Sequence, residues 1–326
     1  MIFKKTSGLN VHYFPYQLEF KKPFKIASVE RLFTDNLYIK YSKDGYEGWG
    51  EAVFPPYIHE NQQTAIKRLA DLNWEFTDET ELFRVIQKNQ TILKHEPSLA
   101  CAMESSLLNW LAASKKCSLN DVLELDSIEK ETSFTIGMSS NIELEETIKN
   151  TPKATYFKLK VNELEIERII NKYKSITSKP FVVDANQGFK DFNKAKYWAD
   201  KLYSEGVFYF EQPFHKDDFD SHKRLRDSVE IPIVADESFQ RFQDFDKVFD
   251  SFSGINVKIT KTGGVLEAKK CLLKARSFGL KTIIGCMSGS STSISTASSL
   301  VVLADFVDLD GVYLIKNDPN LEFYKK

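Results

Sequence analysis

Three carboxylates recur at a regular spacing through the middle of this sequence: Asp184, Glu211 and Asp236, which stand 27 and 25 residues apart. Each follows a short β-rich run, and each interval has room for one strand and one helix. Hard oxygen ligands converging from adjacent strand ends, with room for water, suit an octahedral Mg²⁺ ion. The competing reading is that each acid caps the helix after its strand. Caps do not require three adjacent strand ends, so the shared spacing favours the metal. Lys158 and Lys160 stand two apart on an earlier run and so point to one face, while Lys258 ends a later one. A lysine acts as a general base only if its pKa falls, and a neighbouring ammonium together with a dication depresses it. Solvated surface lysines are the bland alternative. Phe157, Leu159 and Val161 weaken it by marking the other face of that strand as buried.

The elements that must position these groups are visible as eight β-rich runs, at 132–138, 156–161, 181–186, 208–213, 232–238, 255–260, 282–287 and 306–310. Between successive runs lies room for one helix, as at 163–173 or 266–278. Strict alternation means parallel strands joined by right-handed crossovers, and eight of them close most naturally into a barrel. An open doubly wound sheet is the runner-up, but no Gly-x-Gly-x-x-Gly follows the first strand. Little chain remains after the last run, so the final barrel helix is expected to be missing. The expected fold is α/β, a modified TIM barrel of (β/α)7β type spanning 126–311. Residues 1–125 read as a separate α+β unit, with the tail 312–326 returning to it. There Leu37-Tyr-Ile-Lys-Tyr41 alternates, Asp44-Gly45 signals a hairpin, and 99–115 carries apolar residues at helical spacing. The serine-rich stretch 288–299 reads as a helix with a small-residue face.

At the C-terminal mouth of such a barrel stand Lys158, Lys160, Asp184, Glu211, Asp236, Lys258, Gly285–Gly289, Asp308 and Asp310. So many charges inside a barrel mouth are tolerable only if they pair or bind a metal. The 326 residues are 42% hydrophobic and 28% charged, the composition of a folded globular protein. Forty-four basic against 46 acidic residues leave a net charge of −2, no footprint for nucleic acid or an anionic membrane. No apolar run approaches the roughly 18 residues of a spanning helix. The start, Met1 to Lys5, turns charged too early for a signal peptide. Cys101, Cys117, Cys271 and Cys286 form no Cys-x-x-Cys, so free thiols and a cytoplasmic location are expected. The expected partner is a small molecule, with a homo-oligomer left open.

Lys158-x-Lys160, Asp184-x-Asn186, Glu211-Gln-Pro213, Asp236-Glu-Ser238 and Asn256-x-Lys258-x-x-Lys261-x-Gly263-Gly264 jointly resemble the enolase superfamily, and within it the muconate-lactonising subgroup. Pro23-Phe24, Gly48-Trp-Gly-Glu51-Ala52 and the helix at 101–115 look like that family's α+β capping domain. The resemblance covers nearly the whole chain. It implies Mg²⁺ held by Asp184, Glu211 and Asp236, with Lys160 and Lys258 facing opposite sides of a substrate α-carbon. It further implies that Lys158 helps to hold the substrate carboxylate and keeps Lys160 neutral, and that Asn186, Gln212 and Glu237 orient the ligands. The chemistry agrees: removing a proton beside a carboxylate builds an enediolate dianion, which a dication stabilises far better than water does.

Asp308-Leu-Asp310 resembles the Asp-x-Asp of dipeptide epimerases, where the pair grips the substrate's free ammonium; Gly285-Cys-Met-Ser288 is similar to their strand-seven end. The implied reaction is a 1,1-proton transfer at the α-carbon of the C-terminal residue of a dipeptide, L-Ala-D/L-Glu or a related one. Implied substrate contacts are Thr135, Met287 and Ser288 in the barrel, and Val29 and Arg31 in the cap. The segment 23–31 and the loop after Glu51 are expected to close over the mouth. Gly289 departs from the pattern, standing where many relatives carry glutamate, and Val29 stands near where acid-reading relatives carry arginine. Rival readings are an o-succinylbenzoate synthase or other β-elimination lyase, a cycloisomerase, and a non-catalytic small-molecule-binding relative. For the last, an intact triad with both lysines would be superfluous. The alternative for Asp308 and Asp310 is capping of the tail or a salt bridge to the cap. His12, His59, His95, His215 and His222 fall outside the strand ends and are assigned no catalytic role.

Overall fold

Two sheets of opposite construction organise the chain. The computed structural model describes residues 2–6, 8–25, 30–56 and 58–319, with side chains at all of these except 2–6, 24, 25 and 30. The first sheet is antiparallel: β1 (Ile2–Thr6), β2 (Leu9–Lys25), β3 (Glu30–Lys43) and β4 (Tyr46–Ala52) pair in sequence order. Asp44 and Gly45 both take positive φ, 53° and 82°, the twist that joins Lys43 to Tyr46 in a tight hairpin. Alternation sends Leu37, Ile39 and Tyr41 into one core, while Asn36, Tyr38 and Glu51 form a buried polar group on the opposite face.

The helix Pro97–Lys115 lies against β4 at very short range. A Cβ on Gly50 would stand 1.9 Å from the Ala102 carbonyl oxygen, and one on Gly48 2.1 Å from that of Ser106. Any side chain at either glycine would push the helix off the sheet. The helix begins with Pro97 in its first turn, and the buried Glu60 carboxylate accepts from Ser98 N at 2.7 Å and Leu99 N at 3.3 Å. It is buried on almost every side because elements of the barrel cover the face that the sheet leaves open. The helices Gln62–Arg68 and Glu79–Ile92 were not anticipated from sequence; each starts at a side-chain cap, Asn61 and Asp78.

The second sheet has eight parallel strands in consecutive order: β5 (Phe134–Ile136), β6 (Phe157–Lys160), β7 (Phe181–Asp184), β8 (Phe210–Glu211), β9 (Ile233–Ala235), β10 (Gly254–Lys258), β11 (Lys281–Gly285) and β12 (Phe306–Asp308). All eight fall in the β-rich runs, β10 and β11 starting one residue earlier. Ser133 N donates to the Val307 carbonyl at 2.9 Å, drawing the first and last strands together into the barrel. At least one helix fills each of the seven connections. After β12 the eighth is cut to one turn, Gly311–Leu314, and Ile315 then bridges to Phe20 of β2. Val182, Tyr209, Val234 and Ile283 plug the barrel interior with a small apolar cluster.

Candidate active site

Strand register assembles the charged groups. Lys160 pairs with Asp184 and Asp184 with Glu211, so one row of side chains crosses β6, β7 and β8 at a single level. On the other arc, Lys258 pairs with Gly285 and Gly285 with Asp308. Asp236 stands two residues beyond Val234, the partner of Glu211. Lys158, two residues before Lys160, points the same way one layer deeper.

The carboxylates of Asp184, Glu211 and Asp236 are buried and offer one oxygen each, all within 4.8 Å of one another. Asp184 stands 2.5 Å from Lys160 Nζ and Asp236 2.8 Å from Lys258 Nζ. Burial opposes the charge on Asp184, but the Lys158 and Lys160 ammoniums outweigh it and hold its pKa below the ordinary value. Asp236 is held well below its usual range in the same way, against burial, by Lys258 and Lys261. Glu211 goes the other way, pushed up to about 7 by burial and the charge of Asp184.

Lys158 lies among acids at the base of the cavity. Its Nζ lies 2.8, 2.9 and 3.0 Å from carboxylate oxygens of Asp308, Glu211 and Asp184. Burial opposes its charge, yet these three acids raise its pKa well above the usual value. Three carboxylates surround this ammonium, and it donates to Asp308 Oδ2. Lys158 ties the layer beneath the site together. Asp308 is correspondingly committed inward, to Lys158 and to Ser133 Oγ at 2.7 Å. Asp310 accepts from Thr135 N at 2.6 Å and is pushed up to about 6 by burial and by Asp308.

Two of the three residues expected to orient the ligands sit on strained backbone. Asn186 and Gln212 have φ of 42° and 41°, in the left-handed region that costs a residue with a side chain on the order of 1–3 kcal/mol. Hydrogen bonds hold them there. Gln212 Oε1 accepts from Asp236 N and Ser238 N, both at 3.0 Å, fixing the loop that presents Asp236. Asn186 N donates to Asp184 Oδ1 at 3.0 Å, and its amide reaches Glu237 at 3.2 Å. Glu237 is pushed up to about 7 by burial and by Asp236.

Above these groups opens a cavity of about 890 Å³. Thr135, Lys160, Lys258, Met287, Ser288, Asp308 and Asp310 line its barrel side; Arg31 and the loop after Glu51, through Val53, Pro55 and Ile58, line its other side. Val29 lies outside the described residues. Acids and lysines are mixed at the strand ends of the cavity, but its other charged groups are all basic. Its acids, Asp236, Glu237, Asp308 and Asp310, all stand at strand ends, whereas Arg31, Lys94, Lys216 and Arg241 are the charged groups away from them.

Residues 143–312 match the family profile described as Enolase C-terminal domain-like. The chain belongs to the enolase superfamily. It is 29% identical over 313 residues to the L-Ala-D/L-Glu epimerase of Bacteroides thetaiotaomicron, covering 95% of this chain and 82% of that protein. It is 31% identical over 310 residues to a hydrophobic dipeptide epimerase of a Flavobacteria bacterium, covering 91% and 88%. Its fold superposes with a TM-score of 0.89 on a dipeptide epimerase from Enterococcus faecalis solved with Mg and L-Leu-L-Tyr, at 20% identity over 96% and 93% of the two chains.

Within this superfamily frame, several groups at the site had no role assigned from sequence. Lys261 Nζ donates to Asp236 Oδ1 and to its carbonyl, both at 2.7 Å, and the Lys-x-x-Lys spacing was the signal for it. Asn256 donates to Glu211 at 2.9 Å, and Gly285 must be glycine because a Cβ would meet Asn256 Oδ1 at 2.3 Å. Glu51 explains the serine-rich stretch: its carboxylate accepts from Ser290 N and Oγ and Ser293 N at the start of the helix Ser291–Ser298. Gly289 packs on Ser293 and Val53 in that joint, where a Cβ would stand 2.2 Å from Ser293 Oγ. His59, His95 and His215 also line the cavity. His222 is buried behind Gln212: its Nδ1 faces the Asp218 carbonyl at 2.7 Å, and its Nε2 accepts from Phe214 N at 3.2 Å.

Proposed function

We propose that this chain is a Mg²⁺-dependent dipeptide epimerase, inverting the α-carbon of the C-terminal residue by transfer of one proton off and one proton on. The observation that carries the reading is the pairing of Lys160, on β6, and Lys258, on β10, with carboxylates at opposite ends of one triad. One lysine, as the free amine, takes the α-proton and becomes an ammonium. The other, as the ammonium, returns a proton to the opposite face and becomes the amine. Charge and protons balance, and the opposite epimer uses the same pair with roles exchanged.

Asp184, Glu211 and Asp236 fit a hard divalent ion, since the donor set is all carboxylate, buried, and within 4.8 Å. When bound, Mg²⁺ supplies positive charge beside the substrate carboxylate as the enediolate develops. Asp310, at the opposite arc of the mouth, meets the ammonium of the N-terminal residue, with Asp308 behind it. That acidic pair is what the lyase reading would leave unused. Because the charged groups lining the cavity away from the strand ends are all basic, we assign the C-terminal side chain to the acidic class. This goes beyond the relatives, which are named for both L-Ala-D/L-Glu and hydrophobic dipeptides. Incubating a dipeptide library in D₂O with Mg²⁺ and reading mass and epimer composition tests the reading. Deuterium uptake with inversion, strongest for acidic C-terminal residues, is expected. Elimination products without inversion would move the lyase to first place.

A further inference from the structure

The segment that follows Lys258 is held from outside the barrel. Lys258 ends β10 and directly precedes the one-turn helix Ile259–Thr262, which closes on Gly263 and Gly264 before the helix Val265–Ser277 begins. Gly264 is the N-cap of that helix and has no side chain to satisfy its first backbone N–H groups. A residue of the N-terminal half supplies the acceptor instead. Glu104, buried in the helix Pro97–Lys115, accepts from Leu266 N at 3.0 Å. Its carboxylate fills the space beside Gly264, where a Cβ would stand 2.1 Å from Glu104 Oε1. Gln90, from the helix Glu79–Ile92, uses one amide nitrogen to bridge Glu104 at 2.9 Å and the Gly263 carbonyl at 2.7 Å.

Among the described residues, no such clamp is seen after Lys160. There Val161 N donates to the Asp184 carbonyl at 2.9 Å, Glu163 N to that of Gly188 at 3.1 Å, and Asn162 Oδ1 accepts from Leu164 N and Glu165 N at 3.0 and 2.9 Å. All of these partners belong to the barrel.

We propose, resting on the epimerase reading, that Glu104 and Gln90 are positioning residues for one base only: through Gly263 and Gly264 they set the height of Lys258, and leave Lys160 unaffected. The consequence is a stereochemical signature. Epimerisation uses both lysines and falls in both directions, so the informative quantity is the initial rate of α-proton loss to D₂O from each pure epimer. The epimer served by Lys258 is the one whose proton loss Lys258→Ala abolishes. Glu104→Ala is expected to slow proton loss from that epimer by roughly 10- to 100-fold, the penalty of a displacement on the order of 1 Å. Loss from the other epimer should stay within about threefold. Gln90→Ala, which removes the bridge alone, should show the same bias at smaller size, and it decides the matter if Glu104→Ala does not fold. Equal losses from both epimers would make Glu104 a general structural residue and overturn the proposal, as would no loss from either. A wild-type enzyme that exchanges neither epimer of any dipeptide would instead defeat the epimerase reading itself.

Discussion

Lys160 and Lys258 bring the same group to the same cavity, but the protein builds them differently. Lys160 is placed by register: it pairs with Asp184 across β6 and β7, and among the described residues the loop after it is bonded within the barrel. Lys258 is followed by a second lysine, Lys261, which shares Asp236 with it, and by a glycine pair clamped from the helix Pro97–Lys115. On the proposal above, one base needs the barrel alone, while the other depends on the seating of the N-terminal half. A cap of this kind is therefore more than a cover that excludes water. On that proposal it is one wall of the catalytic apparatus.

The largest effects should come from groups that serve both sides. Asp184→Asn and Asp236→Asn, or removal of Mg²⁺ with EDTA, are each expected to lower kcat/KM by roughly 10³-fold or more. Both epimers should lose equally, with the fold retained by circular dichroism. A loss confined to one epimer for either variant would show that the two arcs do not share one metal.

A smaller effect concerns stability on the side of Asp236. Burial lowers the pKa of His222 to about 4, so the folded protein keeps it neutral while the unfolded chain binds a proton below its ordinary value near 6.5. Its contribution is present above pH 6.5 and is lost as pH falls towards 4, on the order of 3 kcal/mol across that window. His222 supports Phe214 and Gln212, and Gln212 holds the Asp236 loop. Urea unfolding of wild type and His222→Gln at pH 7.5 and 4.5 should show the variant less stable at the higher pH and flatter between the two. An identical slope in both proteins would remove His222 from the account.

The smallest effect is specificity. Arg31→Ala and Arg241→Ala should each reduce the preference for L-Ala-L-Glu over L-Ala-L-Val, measured as a ratio of kcat/KM, by about fivefold, as an exposed charge pair worth about 1 kcal/mol would. An unchanged ratio in both would place the side chain elsewhere in the cavity.

The barrel was legible because its signals are local. A β-rich run ending in a charged residue and followed by a helix-length interval is written in consecutive residues, and parallel order then follows from connection length. The triad and the two lysines were legible for the same reason. The surroundings of Lys158 and Asp308 were not, since a strand position gives direction but not depth. Only the register shows Lys158 one layer down among three carboxylates. The joints between the two sheets were hidden as well. Glu51 reaching Ser290 and Glu104 reaching Leu266 link residues 239 and 162 positions apart, and nothing in the periodicity of either segment marks such an acceptor. Gly263-Gly264 was visible as a motif, yet it takes the structure to show Gly263 at positive φ and the side chain of Glu104 against Gly264.

The central claim, two bases on opposite faces of one carbon, is tested most directly by α-proton exchange in the lysine variants. Lys160→Ala and Lys258→Ala should each abolish epimerisation of a dipeptide substrate in D₂O. Each should still exchange the α-proton of one epimer, with retention, and the surviving epimer should differ between the two variants. If either variant still inverts the centre, or if both exchange the same epimer, the two-base account is contradicted.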